Sequence, residues 1–286
     1  MRPPTPPPDP TSAQSRIAII AGSGQFPFHV AREAKRQGRG VVAVGIQGWA
    51  EAALAEQVDA YEEIPIGQLG RLIRYLKSQG THQAIMAGKV TKDALLQQPG
   101  VLDDELRAIL QRARDTSVLS LLGAIGQRLA SEGITLLDSS TFLRDDLCPP
   151  GVQTARPPTA VEQEDIAVGL QAARAVAALD IGQTVVVKAR VVVAVEALEG
   201  TDAAIRRAHG LAGSGLVVVK TGSPTQDRRF DLPVIGTETV ATLREAEVTC
   251  LAVEAGTTLL LDRRAVCAAA DAAGLCLVGV GAPPAP

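Results

Sequence analysis

Residues 220 to 239, Lys-Thr-Gly-Ser-Pro-Thr-Gln-Asp-Arg-Arg-Phe-Asp-Leu-Pro-Val-Ile-Gly-Thr-Glu-Thr, set acids, bases and amides between turn-forming Gly and Pro residues. The valine-rich run Leu216 to Lys220 reads as a strand, so Gly222 and Pro224 are expected to turn the chain there. That turn would present Gln226, Asp227, Arg228, Arg229 and Asp231 from a strand end. Two aspartates four apart, Asp227 and Asp231, could hold a divalent cation or a nucleophilic water while guanidinium groups grip phosphate. The same spacing equally suits a solvated, salt-bridged surface loop.

Three further places carry residues that could meet phosphate. Gly22-Ser23-Gly24-Gln-Phe-Pro27 follows an apolar run and approximates a dinucleotide fingerprint, in which glycines admit phosphate to the backbone at a helix N-terminus. Pro27 stands where the third glycine belongs, and no acidic residue follows the next strand to take a ribose diol, which argues against redox use of NAD. Gly88 and Lys89 end another apolar run, where Lys89 could pair with phosphate or be a solvated lysine. Val195-Glu196-Ala-Leu-Glu199-Gly200-Thr201-Asp202 puts two acids at a strand end and Gly200 at a helix start. Thr201 or Asp202 could cap that helix, or its amides could bind phosphate while Glu196 or Glu199 holds a cation. Asp115 reads as a helix cap or a catalytic acid, and Glu254 beside Gly256 as a hairpin feature.

The elements that must position these residues follow from periodicity. Arg16 to Ala21, Val41 to Gly45, Tyr61 to Ile66, Gln83 to Gly88 and Ile134 to Asp138 read as strands, with helices expected at 28–37, 70–78, 92–114 and 117–131. Strands alternating with helices imply a parallel, doubly wound sheet, a Rossmann-like N-terminal domain. Prolines at 149, 150, 157 and 158 then break the pattern, giving a tail over 1–14, a first domain over 15–148, a linker over 149–159 and a second domain over 160–282. That second domain is expected to be α/β with a mixed sheet. Helices are expected at 162–179, 202–209, 237–245 and 263–273. Valine-rich strands are expected at 182–188, 190–196 and 216–220, then a hairpin of 250–254 with 257–261 turned at Ala255-Gly256, and a last strand at 275–280.

A chain of 286 residues with 46% apolar residues has material for two cores. Aromatics are 2% and the net charge is -3 without a long basic run, so neither base stacking nor a phosphate-backbone footprint is expected, and nucleic acid is excluded as a partner. The N-terminus lacks the apolar middle of a signal peptide, and no apolar run reaches the roughly 18 residues of a membrane span. The expectation is a soluble, cytoplasmic chain. Cys148, Cys250, Cys267 and Cys276 form no CxxC pair, and His29, His82 and His209 are scattered, so no zinc site is expected.

Taken together, Ala21–Pro27, Ile66-Gly-Gln68-Leu-Gly70, Met86-Ala-Gly-Lys89, Asp180-Ile-Gly-Gln183, Val195–Asp202 and the 220–239 loop resemble the I-type UDP-2,3-diacylglucosamine pyrophosphatase family of lipid A biosynthesis. The resemblance runs from about Ile17 to Val280, in order. It implies a cytoplasmic hydrolase, peripheral at the inner membrane, that splits UDP-2,3-diacylglucosamine into UMP and 2,3-diacylglucosamine 1-phosphate (lipid X). It also implies a homodimer, a divalent cation such as magnesium, and an essential aspartate in Asp-x-Pro-x-x-Gly, here Asp231-Leu-Pro-Val-Ile-Gly236. With Asp231 as catalytic residue, Asp231, Asp227 and Glu196 become the expected cation ligands. Gly22, Ser23, Gly24, Gln68, Gly88, Lys89, Gly200, Thr201, Lys220, Gln226 and Arg229 become the expected substrate contacts. Two acyl chains call for an apolar cleft between the halves. A nucleotide-sugar binding or regulatory protein without catalysis is the alternative, and an NAD-dependent oxidoreductase a third.

Overall fold

The computed structural model describes residues 16–90, 102–112, 118–223, 227–230 and 232–281. Asp115, Gln226, Asp231, the Pro-rich tail and the start of the helix expected from Lys92 lie outside the described residues. The described chain divides into two compact units. One runs to Phe142 and takes in Asp227–Phe230; the other starts at Leu143 and holds the rest.

In the first unit, strands β1 (Arg16–Ala21), β2 (Gly40–Ile46), β3 (Ala60–Ile64), β4 (Gln83–Ala87) and β5 (Thr135–Leu136) alternate with helices. These are α1 (Phe26–Arg36), α2 (Leu69–Ser78), α3 (Asp104–Arg112) and α4 (Val118–Ser131), with a 3-10 turn at Ala52–Gln57. The sheet is wholly parallel in the order β3-β2-β1-β4-β5. Continuous apolar runs make this arrangement, since Ile17 to Ala21 and Val41 to Val44 are buried on both faces, as strands under helices must be. Strand order reverses between β1 and β4, and in open α/β sheets the crevice outside the strand carboxyl ends at such a reversal is where ligands bind. Gly22 and Gly88 therefore stand at that point.

The second unit contains β6 (Gly151–Val152), α5 (Ala160–Ala178), β7 (Thr184–Lys188), β8 (Val191–Val195), α6 (Thr201–Ala212) and β9 (Leu216–Lys220). It continues through β10 (Val234–Ile235), α7 (Thr237–Glu245), β11 (Val248–Glu254), β12 (Leu259–Leu260), α8 (Arg263–Ala272) and β13 (Cys276–Val280). Its main sheet is mixed, ordered β6-β13-β11-β9-β7-β8, with β9, β11 and β13 parallel and β7 antiparallel to both neighbours. The valine runs cover two faces because side chains alternate. Val185, Val187, Val217 and Val219 meet Ile166 and Ala173 of α5, whereas Val186 and Val218 meet Ile205 and Ala208 of α6 and Leu243 of α7.

The hairpin expected from 250–254 and 257–261 is not formed. Strand β11 is buried along nearly its whole length and both its edges are taken, in parallel, by β9 and β13, so none is left for a hairpin partner. Leu259–Leu260 pairs instead with Val234–Ile235 in a separate two-stranded sheet. The amides at the expected turn go elsewhere, Ala255 N–H to the Val280 carbonyl and Gly256 N–H to that of Cys148.

Within the Pro-rich 149–159 stretch, β6 pairs with β13, and Arg156 forks onto Glu162 at 2.8 Å through both terminal nitrogens. Thr159 caps α5 in a capping box with the same glutamate. Hydrogen bonds from Arg156 outweigh burial, with the Thr159 amide helping, and hold the Glu162 carboxyl down at about 2. A carboxyl lowered on folding gives stability that is full above its unfolded value of 4.5 and is lost as pH falls through its folded one. After discounting for the partly exposed Arg156, that contribution is about 2–3 kcal/mol. Urea unfolding of wild type is expected to weaken by this amount between pH 6 and pH 2, and a Glu162→Gln variant to lack that component of the slope. Among the described residues, no helix is long and apolar enough to cross a membrane.

Candidate functional site

At the carboxyl edge of the first sheet, two glycine turns interlock. Gly22 N–H donates to the Ala87 carbonyl at 2.8 Å, Ser23 N–H and Lys89 N–H exchange bonds with each other's carbonyls at 2.9 and 3.0 Å, and Ser23 Oγ adds a third contact to the Lys89 carbonyl at 3.0 Å. A side chain does not fit here. A Cβ on Gly22 would lie 2.6 Å from the Lys89 carbonyl oxygen, and one on Gly88, at φ +94°, would lie 2.7 Å from the Gly22 backbone. Gly22→Ala is accordingly expected to lower stability by about 1–3 kcal/mol in urea titration, because only backbone can give way. Gly24→Ala, whose Cβ meets nothing and which suffers only from φ +87°, is expected to lose less, about 1 kcal/mol. Lys89 is exposed, and Gln68 is the residue preceding α2.

Past β5, Asp138 accepts from the Ser140 amide and hydroxyl at 2.7 and 2.6 Å, an Asx turn that aims its other oxygen at Arg228 Nε, 3.2 Å away. Ser139 fastens the Asp227–Phe230 segment to this edge. Its amide donates to the Arg228 carbonyl at 2.9 Å, and its hydroxyl lies within hydrogen-bonding distance of the Met86 and Arg229 carbonyls. Arg229 binds both oxygens of Asp227, at 2.9 Å from Nε and 2.5 Å from Nη2, and stacks 4.9 Å from the Phe230 ring centroid. The guanidinium bonds hold the Asp227 carboxyl below its usual range. Asp138, Ser139 and Ser140 were not singled out in the sequence. Their signal was a polar triplet one residue past a strand of the same sheet.

The second unit builds a polar cluster where β7 begins and β8 and β9 end. Thr184 and Lys220 are register partners, and the Lys220 ammonium, 5% exposed, donates to Thr184 Oγ1 at 3.1 Å and Thr201 Oγ1 at 3.0 Å. Glu196 lies 3.8 Å from the same ammonium, accepts from the Thr201 hydroxyl at 2.8 Å, and is within 3.3 Å of the Gln183 amide. Burial pushes the Glu196 carboxyl up, but Lys220 together with bonds from Thr184, Thr201 and Gln183 outweighs it and holds the group below its ordinary range. Gly200, at φ +83°, is the cap residue of α6, so neither Thr201 nor Asp202 caps it as a side chain; the Thr201 hydroxyl is committed to Glu196. The first-turn amides of α6 have no intrahelical partner, which suits them to an anion. Glu199 pairs with Arg207 at 2.6 Å.

A divalent cation is served by carboxylate oxygens in type, yet the described members of the expected ligand set do not fit one. Asp227 is clasped on both oxygens by Arg229, and Glu196 accepts from Thr201 and Gln183 beside an ammonium. Each would have to surrender a cationic neighbour before a metal could bind. Among the described residues, no three His, Cys, Asp or Glu side chains converge as a metal site. Asp231 and Gln226 lie outside the described residues. Lys220 and Arg229, expected to present charge to a ligand, are both already paired.

Glu254, expected as a hairpin feature, ends β11 as a buried carboxylate. It accepts from Arg174 at 2.8 Å and from the Gly222 amide at 3.3 Å.

Residues 16–146 match the family model described as the LpxI N-terminal domain, and residues 149–278 match the LpxI C-terminal domain. The UDP-2,3-diacylglucosamine pyrophosphatase LpxI of Caulobacter vibrioides is 30% identical over 285 residues, 93% of this chain and 97% of that protein. Among solved structures, the biotin carboxylase domain of Hydrogenobacter thermophilus 2-oxoglutarate carboxylase is 12% identical at TM-score 0.27, over 69% of this chain and 41% of that one. The biotin carboxylase subunit of pyruvate carboxylase is 14% identical at TM-score 0.25, over 70% of this chain and 42% of that one.

Proposed function

Because the chain belongs to the LpxI family, we propose that it hydrolyses the pyrophosphate bond of UDP-2,3-diacylglucosamine in lipid A biosynthesis. One observation carries this reading: the family likeness spans nearly the whole chain, and with it both polar clusters. In the reaction, water adds its oxygen to one phosphorus while the bridging oxygen leaves with the other phosphate, giving UMP and 2,3-diacylglucosamine 1-phosphate. Such a reaction needs the developing charge on phosphate oxygens stabilised by fixed donors and a water held in line.

The assignments follow from what each group is free to do. In the first unit, the Gly22-Ser23-Gly24 turn and exposed Lys89 are candidate phosphate contacts, with Gly88 holding the turn's backbone. In the second, the amides at Gly200 and Thr201 are candidates, while Lys220 and Glu196 fix the Thr201 hydroxyl that opens α6. Arg229 orients the Asp227–Phe230 segment through Asp227 and Phe230. Gln68 and Gln226 are candidate substrate contacts, and Asp231 is the candidate group to coordinate a cation or orient the attacking water, all three from motifs in which this chain resembles the family. A cytoplasmic homodimer that meets the inner membrane peripherally belongs to the same proposal, since a substrate with two acyl chains resides in a bilayer.

The deciding experiment is UMP release from UDP-2,3-diacylglucosamine by the purified protein, with magnesium and with chelator. Stoichiometric UMP and sugar 1-phosphate support the hydrolase, and the chelator arm decides whether a divalent cation takes part. Saturable binding of the substrate with no UMP under any divalent ion would instead make this a nucleotide-sugar binding protein.

A further inference from the structure

We propose that Glu254 and Arg174 are positioning residues for the reacting loop. They would act through the backbone amide of Gly222, and the inference rests on the hydrolase reading above. Strand β9 ends at Lys220, and the two residues after it are buried, Thr221 fully so. Each of their amides is held from a different side. Thr221 N–H donates to the Gln183 carbonyl at 2.9 Å, and Gly222 N–H to Glu254 Oε2 at 3.3 Å. From Gly222 the chain runs on to Gln226 and Asp231, so the direction in which it leaves the sheet is set at these two bonds.

The carboxylate that makes the second bond is itself fixed. Glu254 is 7% exposed, and its Oε1 accepts from Arg174 Nη2 at 2.8 Å and Nε at 3.2 Å. Arg174 in turn donates to the Gly281 carbonyl at 2.9 Å, tying α5 to the end of β13. A buried carboxylate is costly unless paired and hydrogen-bonded, and an apolar residue would fill a central strand at no such cost. What the carboxylate supplies, and an apolar residue cannot, is an acceptor for a loop amide. Charge assistance makes that bond directional.

The test uses the full chain and compares Glu254→Met, Glu254→Gln and Arg174→Met, each checked for melting temperature and assayed for kcat and KM of UMP release. Methionine removes the acceptor, whereas glutamine keeps a carbonyl oxygen for Gly222 while giving up the charge. A loop displaced by about an ångström is expected to lower kcat by roughly 10²-fold. Glu254→Met should therefore lose kcat on that scale with KM little changed, and Glu254→Gln should recover most of it. Hydrogen exchange of a peptide containing Gly222 should speed up in the methionine variant and stay near wild type in the glutamine one.

The proposal is overturned if Glu254→Met keeps wild-type kcat, or if Glu254→Gln falls as far as methionine does. Should Glu254→Met fail to fold, Arg174→Met decides. Its side chain is 46% exposed, and a kcat within about twofold of wild type, with Gly222 exchange unchanged, would overturn the clamp. A wild type that releases no UMP sinks the hydrolase reading instead, and the exchange comparison still tests the clamp.

Discussion

Replacing Lys220 by methionine is expected to cost about 2–4 kcal/mol of stability and most of the UMP-releasing activity. The lysine is 5% exposed and its ammonium joins Thr184, Thr201 and Glu196, so its loss leaves a carboxylate in a low-dielectric wall without its counter-charge. The Gln183 amide and Thr201 hydroxyl still serve Glu196, which keeps the expected loss below that of a wholly stranded ion. Activity would fall because Thr201 opens α6, and its hydroxyl would keep only its bond to Glu196 and lose the ammonium that fixes it from the other side.

The pH dependence gives this prediction a sign. In wild type the Glu196 carboxyl sits below its unfolded value, so its contribution is full at neutral pH and is lost as the solution is acidified. Without Lys220, burial becomes the dominant influence and raises the folded value above the unfolded one. The variant then loses stability as pH rises from the unfolded value of 4.5 through the raised folded one. Urea titrations of the two proteins should diverge from pH 4 to pH 7. Adding Glu196→Gln to Lys220→Met should restore part of the stability without restoring turnover, and an unchanged gap across that range would refute the account.

Asp231→Asn is expected to lower kcat by roughly 10³-fold while leaving the melting temperature within a few degrees. Asparagine keeps the size and one acceptor oxygen but loses the charge, so it cannot take a proton from water or hold it as a base does. The residue stands in Asp231-Leu-Pro-Val-Ile-Gly236, three residues before β10 begins and next in sequence to the segment that Ser139 anchors. Substrate affinity measured by titration should change far less than turnover. Equal losses in both would assign Asp231 to binding rather than to the chemical step.

The contrast between Lys220 and Glu254 shows how far sequence alone reaches. Element type was legible wherever a run was long and strongly patterned. The apolar strands β1, β2 and β4, the valine pairs β7 with β8, and the helices Thr237–Glu245 and Arg263–Ala272 follow from burial on two faces or one. The glycine turn at Gly22 was legible as well, because a strand, two glycines and a helix leave little other choice. Six ordered motifs also sufficed for the family.

Pairing beyond neighbouring strands was not legible. Residues 250–254 and 257–261 looked like two arms of a hairpin because local sequence describes a strand but not which edges are free, and β11 had both edges filled by strands far away in sequence. Side-chain partners escaped for the same reason. Lys220 looked like a charge offered to a ligand and is instead buried against residues 19 and 36 positions away, and Glu254 looked like a turn residue and is instead bonded to Gly222 and Arg174. Composition and periodicity are local, and they determined the elements and the turns. Which acid meets which base is decided by strand register and helix docking, whose contacts here span 19 to 90 residues and leave no local trace.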